Sequence, residues 1–211
     1  MESQYNNWRG GKKKNLQIST LLLNILQITL IGICLCTISY LFIVTPNEVQ
    51  GESMLPEFRD GQIVLTNKLS TWLGESDLGR SLGLDYQRGD TVVFQRPGQS
   101  DFIKRIIALP GERVAIRDGF VYVNNNQIDE EYLLPATFTK GGSLVEDGGE
   151  SKIVPENSYF LLGDNRAQSL DSRFNEVGFV EREWIKGKVI LKYWPLNELS
   201  VVSRGNIEFV E

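Results

Sequence analysis

The stretch from Asn15 to Asn47 contains no charged side chain, and its centre, Leu26–Val44, is dense in apolar residues. About 20 apolar residues are enough for a helix to cross a bilayer. The apolar core of a cleaved secretory signal usually runs about 7 to 15 residues, which is shorter than this stretch. We therefore predict a transmembrane anchor over residues 16–45 instead of a removable signal.

The charges on the two sides of this stretch predict its orientation. Three lysines, residues 12–14, directly precede it, and Glu48 and Glu52 follow it. Because Lys and Arg accumulate on the cytoplasmic side of membrane spans, residues 1–15 are expected in the cytoplasm. Residues 46–211 are then expected on the opposite, trans side of the membrane.

Composition narrows the class of the part that follows the anchor. The chain has 41% hydrophobic and 23% charged residues, as a globular protein does. Its net charge of −5 includes a basic N-terminus, so the remainder is more acidic still, and nucleic-acid phosphates would be repelled. Both cysteines, Cys34 and Cys36, lie inside the apolar stretch. We therefore expect no nucleic-acid partner, and no disulfide or metal site in the outer part.

The outer part is predicted to be mainly β. Short β-rich runs are separated by turn residues, and no segment repeats apolar residues with a long period of 3.6. Asp118-Gly119 between two alternating runs indicates a tight hairpin. We expect an all-β domain over residues 46–211 with a smaller inserted region at about residues 113–155. The β-rich runs are 63–65, 91–94, 102–109, 113–116, 120–123, 159–162 and 188–193.

The segment from Ser70 to Tyr86 mixes Trp72 and four leucines with glycines and charges. A small buried satellite cluster is the favoured interpretation. The alternative is an apolar edge that enters the lipid interface, where tryptophan is enriched.

The chain has no histidine, so a hydrolase built on it cannot use a Ser-His-Asp triad. Lysine is the main remaining side chain that can activate a serine. Lys104 lies in an apolar strand-like run, where alternation places it on one face with Phe102 and Ile106. Burial would lower its pKa and leave an amine that can accept the proton of Ser53. By itself this pattern is weak, because a lysine in a strand is usually solvated.

Three blocks strengthen the interpretation: Val49–Pro56, Phe102–Glu112 and Gly163–Arg173. In this order, after an N-terminal anchor, they resemble the serine, lysine and Gly-Asp-Asn boxes of the type I signal peptidase family. The resemblance implies a single-pass protein of a bacterial-type plasma membrane or a thylakoid membrane. Its substrates would be signal-peptide-bearing preproteins. It would contact the lipid bilayer and the protein-export machinery, and it would need no metal or cofactor.

The resemblance also implies roles for individual residues. Ser53 would be the nucleophile, Lys104 the general base, and Ser169 the hydroxyl that orients the lysine amine. Asp171 would pair with Arg173 and Arg105 and hold the site without reacting. Asp164 and Asn165 would order their loop. The substrate-binding residues would be Val49, Met54, Phe102 and Ile103.

The chain departs from the family pattern next to the nucleophile. Gly51 stands where a serine often helps to hold the oxyanion, so that task would pass to backbone donors such as the Ser53 amide. Glu57-Phe58 replaces the usual Thr-Leu, which puts the hydrogen bonds of the turn in doubt.

Three other classes of protein were weighed against this one. A β-lactamase-like Ser-x-x-Lys site is excluded, since Pro56 stands three residues after Ser53. A self-cleaving repressor is disfavoured by the membrane span and the lack of a DNA-binding region. The remaining alternative is a non-catalytic anchored β module that binds signal peptides or secretion partners.

Overall fold

A computed structural model describes the backbone of residues 2–210 and the side chains from residue 20 onward, except that of Leu41. The chain forms two compact units, residues 1–43 and residues 44–211. Helix α1 runs over Glu2–Phe42 and contains one segment, Thr20–Tyr40, that is long and apolar enough to cross a membrane. Val44 and Thr45, at the predicted end of the span, are the first residues of strand β1, because the residue before Pro46 is restricted to extended backbone.

The second unit is built mainly from two antiparallel sheets, which confirms the predicted fold class. The first sheet has eight strands in the order β1-β2-β11-β3-β4-β9-β10, with β12 paired to β11. Its strands are β1 (Val44–Glu48), β2 (Ile63–Asn67), β3 (Thr91–Gln95), β4 (Asp101–Ala108), β9 (Ser158–Leu162), β10 (Val180–Glu181), β11 (Ile185–Trp194) and β12 (Ser200–Val201).

The second sheet has five strands in the order β13-β7-β6-β5-β8. They are β5 (Arg113–Arg117), β6 (Phe120–Val123), β7 (Asn126–Glu130), β8 (Lys152–Ile153) and β13 (Ile207–Phe209). Four of these strands fall in the predicted inserted region, while β13 comes from the C-terminus and pairs with β7. Six strands of the two sheets were not predicted: β1, β7, β8, β10, β12 and β13. Four of them have only two or three residues, too few for a recognisable alternation.

The predicted hairpin is confirmed. Asp118 and Gly119 have positive φ angles of 52° and 86° between β5 and β6. Both central residues of a type I′ turn need such angles, and this turn matches the twist of the flanking strands. Gly119 has a second reason to be glycine, since a Cβ there would lie 2.2 Å from the ring of Phe138.

The central strands β3, β4 and β9 of the first sheet are buried on both faces, which explains their continuous apolar runs. On β3, Val92 and Phe94 pack in one cluster with Ile106, whereas the residue between them, Val93, packs in another with Ile103. A third cluster joins β4 and β9 to β5 and β6 of the second sheet. Lys104 is therefore carried by a strand that is covered by apolar side chains.

Residues 70–86 form two short helices, α2 (Leu69–Leu73) and α3 (Asp77–Ser81). The favoured prediction of a buried cluster is wrong for most of this segment. Trp72, Leu78 and Leu82 are each more than 60% exposed, and Tyr86 alone of its large apolar side chains joins the core. Helices of five residues present too narrow a face to bury a mixed apolar set. The lipid-interface alternative stays a prediction.

Candidate active site

Ser53 lies in a turn between β1 and β2, and Lys104 lies on β4 in the interior of the first sheet. Lys104 Nζ is 2.6 Å from Ser53 Oγ. This distance is within hydrogen-bonding range of an amine and a hydroxyl. Two residues that are 51 positions apart are thus brought together as the sequence predicts.

The surroundings of Lys104 favour the neutral amine. Only 3% of the residue is exposed, and none of the ion pairs among described residues includes it. Burial lowers the pKa of Lys104 from 10.5 to about 8, while Asp171 and Asp164 oppose this shift from a distance. A group with a pKa near the working pH is well suited to be a general base.

The amine of Lys104 is aimed by a main-chain group. Its Nζ–H donates to the carbonyl oxygen of Ile103 at 3.0 Å. A neutral amine has one lone pair, so fixing an N–H on this carbonyl leaves the lone pair free to face Ser53. The hydrogen bond predicted from Ser169 to the lysine is absent, since the buried Ser169 Oγ has no partner among the described residues.

Ser169 nevertheless packs against the site through Gly163. A Cβ added at Gly163 would lie 2.2 Å from Ser169 Oγ and 2.5 Å from the carbonyl oxygen of Ser53. Neither contact is sterically possible, so only glycine lets the 163–173 segment approach the nucleophile this closely.

The turn around Ser53 is closed by one backbone hydrogen bond and one bond to a side chain. The N–H of Phe58 donates to the carbonyl of Met54 at 2.9 Å, and Gly51 N–H donates to Asp60 Oδ1 at 2.6 Å. Glu57-Phe58 therefore does not open the turn. Gly51 has a φ of 78°, an angle that a serine would adopt only with strain. The Ser53 amide makes no hydrogen bond to a described residue and is free to donate to an oxyanion.

Two buried arginine–carboxylate pairs support the site, and one of them differs from the prediction. Arg173 donates to both oxygens of Asp171, at 2.8 and 2.9 Å, as predicted. The pair forms within a turn and not along a strand. Arg105 pairs with Asp164 instead of Asp171, at 2.9 and 2.6 Å, so the prediction for Arg105 was wrong. Sequence spacing could not choose between two carboxylates of one loop.

Asn165 connects this loop to the nucleophile. Its N–H donates to the carbonyl of Ser53 at 3.0 Å, and its side-chain amide donates to the carbonyl of Glu52 at 3.1 Å. These bonds agree with the loop-ordering role expected for Asn165.

The second sheet also supports the site, and no sequence pattern indicated this contribution. Arg166, in the same loop, donates to Thr139 at 2.7 Å and to both carboxylate oxygens of Glu130 on β7. Arg166 belongs to the Gly163–Arg173 block, but nothing in the sequence identified Glu130 as its partner.

A cavity of about 220 Å³ opens beside Ser53 and Lys104. All four predicted substrate-binding residues, Val49, Met54, Phe102 and Ile103, line it. Ligand pockets for drug-sized molecules usually hold about 300 to 1,000 Å³, so this cavity suits small side chains. The structure thus places every predicted site residue in or directly around one centre.

The chain is similar to known signal peptidases over most of its length. The sequence profile of the family described as "Signal peptidase, peptidase S26" matches residues 22–194. Signal peptidase I of Bacillus caldolyticus is 34% identical over 177 residues, which cover 81% of this chain and 90% of that protein. Signal peptidase IB of Staphylococcus aureus strain N315 is 35% identical over 167 residues, covering 74% and 81%.

A crystal structure of a signal peptidase I from Enterococcus faecalis V583 aligns with 31% identity over 49% of this chain and 96% of that one, with a TM-score of 0.40. The profile match and the two relatives agree on one assignment, which the three sequence blocks had predicted. The chain belongs to the type I signal peptidase family and is a membrane-anchored peptidase.

Proposed function

We propose that this protein removes N-terminal signal peptides from exported preproteins with Ser53 as nucleophile and Lys104 as general base. The observation that carries the proposal is the 2.6 Å contact between Ser53 Oγ and a lysine whose pKa is lowered to about 8. A serine and a desolvated amine in contact form an activated nucleophile that needs no histidine.

In the first half of the reaction, Lys104 takes the Ser53 proton while Oγ attacks the scissile carbonyl. The Ser53 amide donates to the resulting oxyanion. As the peptide C–N bond breaks, the Lys104 ammonium returns the proton to the leaving amine. The signal peptide then remains attached to Ser53 as an ester.

In the second half, Lys104 takes a proton from water, and the hydroxide adds to the ester carbonyl. The carbon–Oγ bond breaks, and the ammonium restores the Ser53 hydroxyl. The Ile103 carbonyl keeps the amine directed throughout. The residues around the reacting pair keep Ser53 and Lys104 in position. These residues are Ser169, Asp171, Arg173, Arg105 and Asp164.

The substrate would enter as an extended strand with small side chains before the scissile bond. The size of the cavity next to Ser53 and its apolar wall of Val49, Met54, Phe102 and Ile103 support this preference. Strand addition would let the main chain supply most of the affinity.

The anchor and its flanking charges support a single pass, with the N-terminus in the cytoplasm and the peptidase unit on the trans side. The membrane would be a bacterial-type plasma membrane or a thylakoid, and the export machinery would deliver the substrate. In intact cells, a cysteine at Ser200 should react with an impermeant maleimide, and one at Ser3 should react only after permeabilisation. The reverse pattern would contradict this topology.

The function is tested by incubating detergent-purified protein with a preprotein. We expect the intact protein to release the mature chain, and Ser53→Ala and Lys104→Ala to abolish cleavage while keeping the circular dichroism spectrum of the wild type. Undiminished cleavage by Lys104→Ala would contradict the proposed base. Binding of the preprotein without cleavage by the wild type would favour a non-catalytic module.

A further inference from the structure

A second cavity, of about 650 Å³, adjoins the candidate active site. The same two segments border both cavities. The nucleophile turn contributes Ser53 and Met54 to the first cavity and Leu55 and Pro56 to the second. The 163–173 loop likewise contributes Leu170 to the first and Ser169, with its preceding residues, to the second. We call the second one the downstream cavity.

Much of the lining of the downstream cavity is apolar. Leu134 and Phe138, which line it, are 61% and 54% exposed. The other apolar side chains of the lining are Leu55, Pro56, Ala167 and Phe174. Large apolar side chains grouped around a concave surface are typical of a binding site. Its aromatic and aliphatic groups offer the contacts that an apolar side chain seeks on leaving water.

The charged groups of the downstream cavity are already occupied. Asp164 is paired with Arg105, Arg166 with Glu130, and Arg173 with Asp171. Because these buried ion pairs satisfy one another, a charged ligand would find only Lys140 at the exposed edge. The chemistry of the cavity thus favours an apolar ligand over an acidic or basic one.

We propose that the downstream cavity is a subsite for an apolar side chain among the first residues after the scissile bond. This inference rests on the proposed peptidase function. The nucleophile turn runs from Ser53 and Met54 at the first cavity to Leu55 and Pro56 at the downstream cavity. A peptide with its scissile carbonyl at Ser53 Oγ and its preceding side chains in the first cavity would continue along this turn. An extended chain advances about 3.3 Å per residue, so a few residues bring it to the downstream cavity.

The test compares preproteins that are identical up to the cut and carry either leucine or glycine at one of the first four positions after it. For the wild type, we expect one position at which leucine raises kcat/KM about tenfold over glycine, the scale for a well-placed apolar side chain. In Phe138→Ser and Leu134→Ser this leucine-to-glycine ratio should fall close to one.

Ile153→Ser is the matched control. Ile153, on β8 of the second sheet, is an apolar side chain of similar exposure, 52%, but it does not line the downstream cavity. The control should keep the tenfold ratio. Because the readout is a ratio for each enzyme, a general loss of folded protein does not change it.

Two results would overturn the subsite while leaving the peptidase intact. One is a wild type that cleaves all substrates with a flat ratio at the four positions. The other is a wild-type ratio that Phe138→Ser and Leu134→Ser both retain. If the wild type cleaves none of the preproteins, or Ser53→Ala cleaves them equally well, the peptidase function itself fails and the subsite falls with it.

Discussion

Lys104 and the three arginines near it are buried to the same degree, but they differ in whether their environment favours the charged form. Lys104, Arg105, Arg166 and Arg173 are each at most 3% exposed. Each arginine donates to a carboxylate, whereas Lys104 contacts a hydroxyl and a carbonyl. The difference is one of partners and not of burial.

The pKa values follow these partners in opposite directions. Burial alone lowers the pKa of Arg105, but the hydrogen bonds and charge of Asp164 outweigh it and raise the pKa above its usual range. For Lys104, burial prevails and lowers the pKa to about 8. A buried cation that is paired with a counterion keeps its charge and stabilises the fold. A buried amine without a counterion loses its proton more easily and can then act as a base.

The largest expected effect comes from Lys104→Met. Removing the base should reduce kcat/KM about 10²- to 10⁴-fold, the usual contribution of general-base catalysis. The same change should stabilise the fold below pH 8 by up to about 3 kcal/mol, since a lowering of 2.5 pKa units costs about 1.36 kcal/mol per unit. Chemical denaturation at pH 7 measures this gain.

The size of this gain depends on pH. Between pH 8 and 10.5 the unfolded chain holds the Lys104 proton that the folded chain has released, so wild-type stability rises with pH across this window. The advantage of Lys104→Met should therefore shrink over the same window. A variant that is less stable than the wild type at pH 7 would contradict the cost assigned to the buried amine.

Arg173→Met should act in the opposite direction on stability. Removing the arginine leaves the fully buried carboxylate of Asp171 without its partner, and breaking such a pair costs about 3 to 5 kcal/mol. The melting temperature should fall well below that of the wild type. Arg80→Ala, which breaks an exposed pair with Asp77, is the matched control and should leave it unchanged.

The activity of the wild type should rise with pH as Lys104 loses its proton. With a pKa of about 8, kcat/KM should fall about tenfold per pH unit below pH 7 and level off above pH 9. Rates on one preprotein between pH 5.5 and 9.5 give the profile. A flat profile would exclude an amine base.

The smallest effect on activity is expected from Asp164→Asn. The charge of Asp164 raises the pKa of Lys104, so its removal should move the midpoint of the pH profile downward, by less than about one pH unit. The asparagine can still accept a hydrogen bond from Arg105. An upward shift would show that Asp164 acts on Lys104 through the shape of the loop and not through its charge.

Local patterns predicted seven of the strands, while Ser53 and Lys104 were identified from the resemblance of three sequence blocks to a known family. The apolar neighbours of Lys104 in β4 favoured its burial but were a weak signal alone, and the hairpin at Asp118-Gly119 was predicted because two positive φ angles suit these residues. Neither signal predicted the ion pairs that join the 163–173 loop to the strands. Arg105 was assigned to the wrong carboxylate, since Asp164 and Asp171 lie seven residues apart in one loop. The pairing of Arg166 with Glu130 joins the 163–173 loop to the second sheet, two segments that no local pattern relates.

The sequence by itself determined the anchor, the β class, and the chemistry available without histidine, because these depend on composition and on periods of a few residues. Only the tertiary structure decided which lysine amine is buried, which carbonyl oxygen orients it, and which carboxylate pairs with each arginine. Such properties depend on distances between segments that lie far apart along the chain. Gly163 depends on both the sequence and the tertiary structure. Its lack of a side chain is visible in the sequence, but it matters only because Ser169 and Ser53 approach it in space.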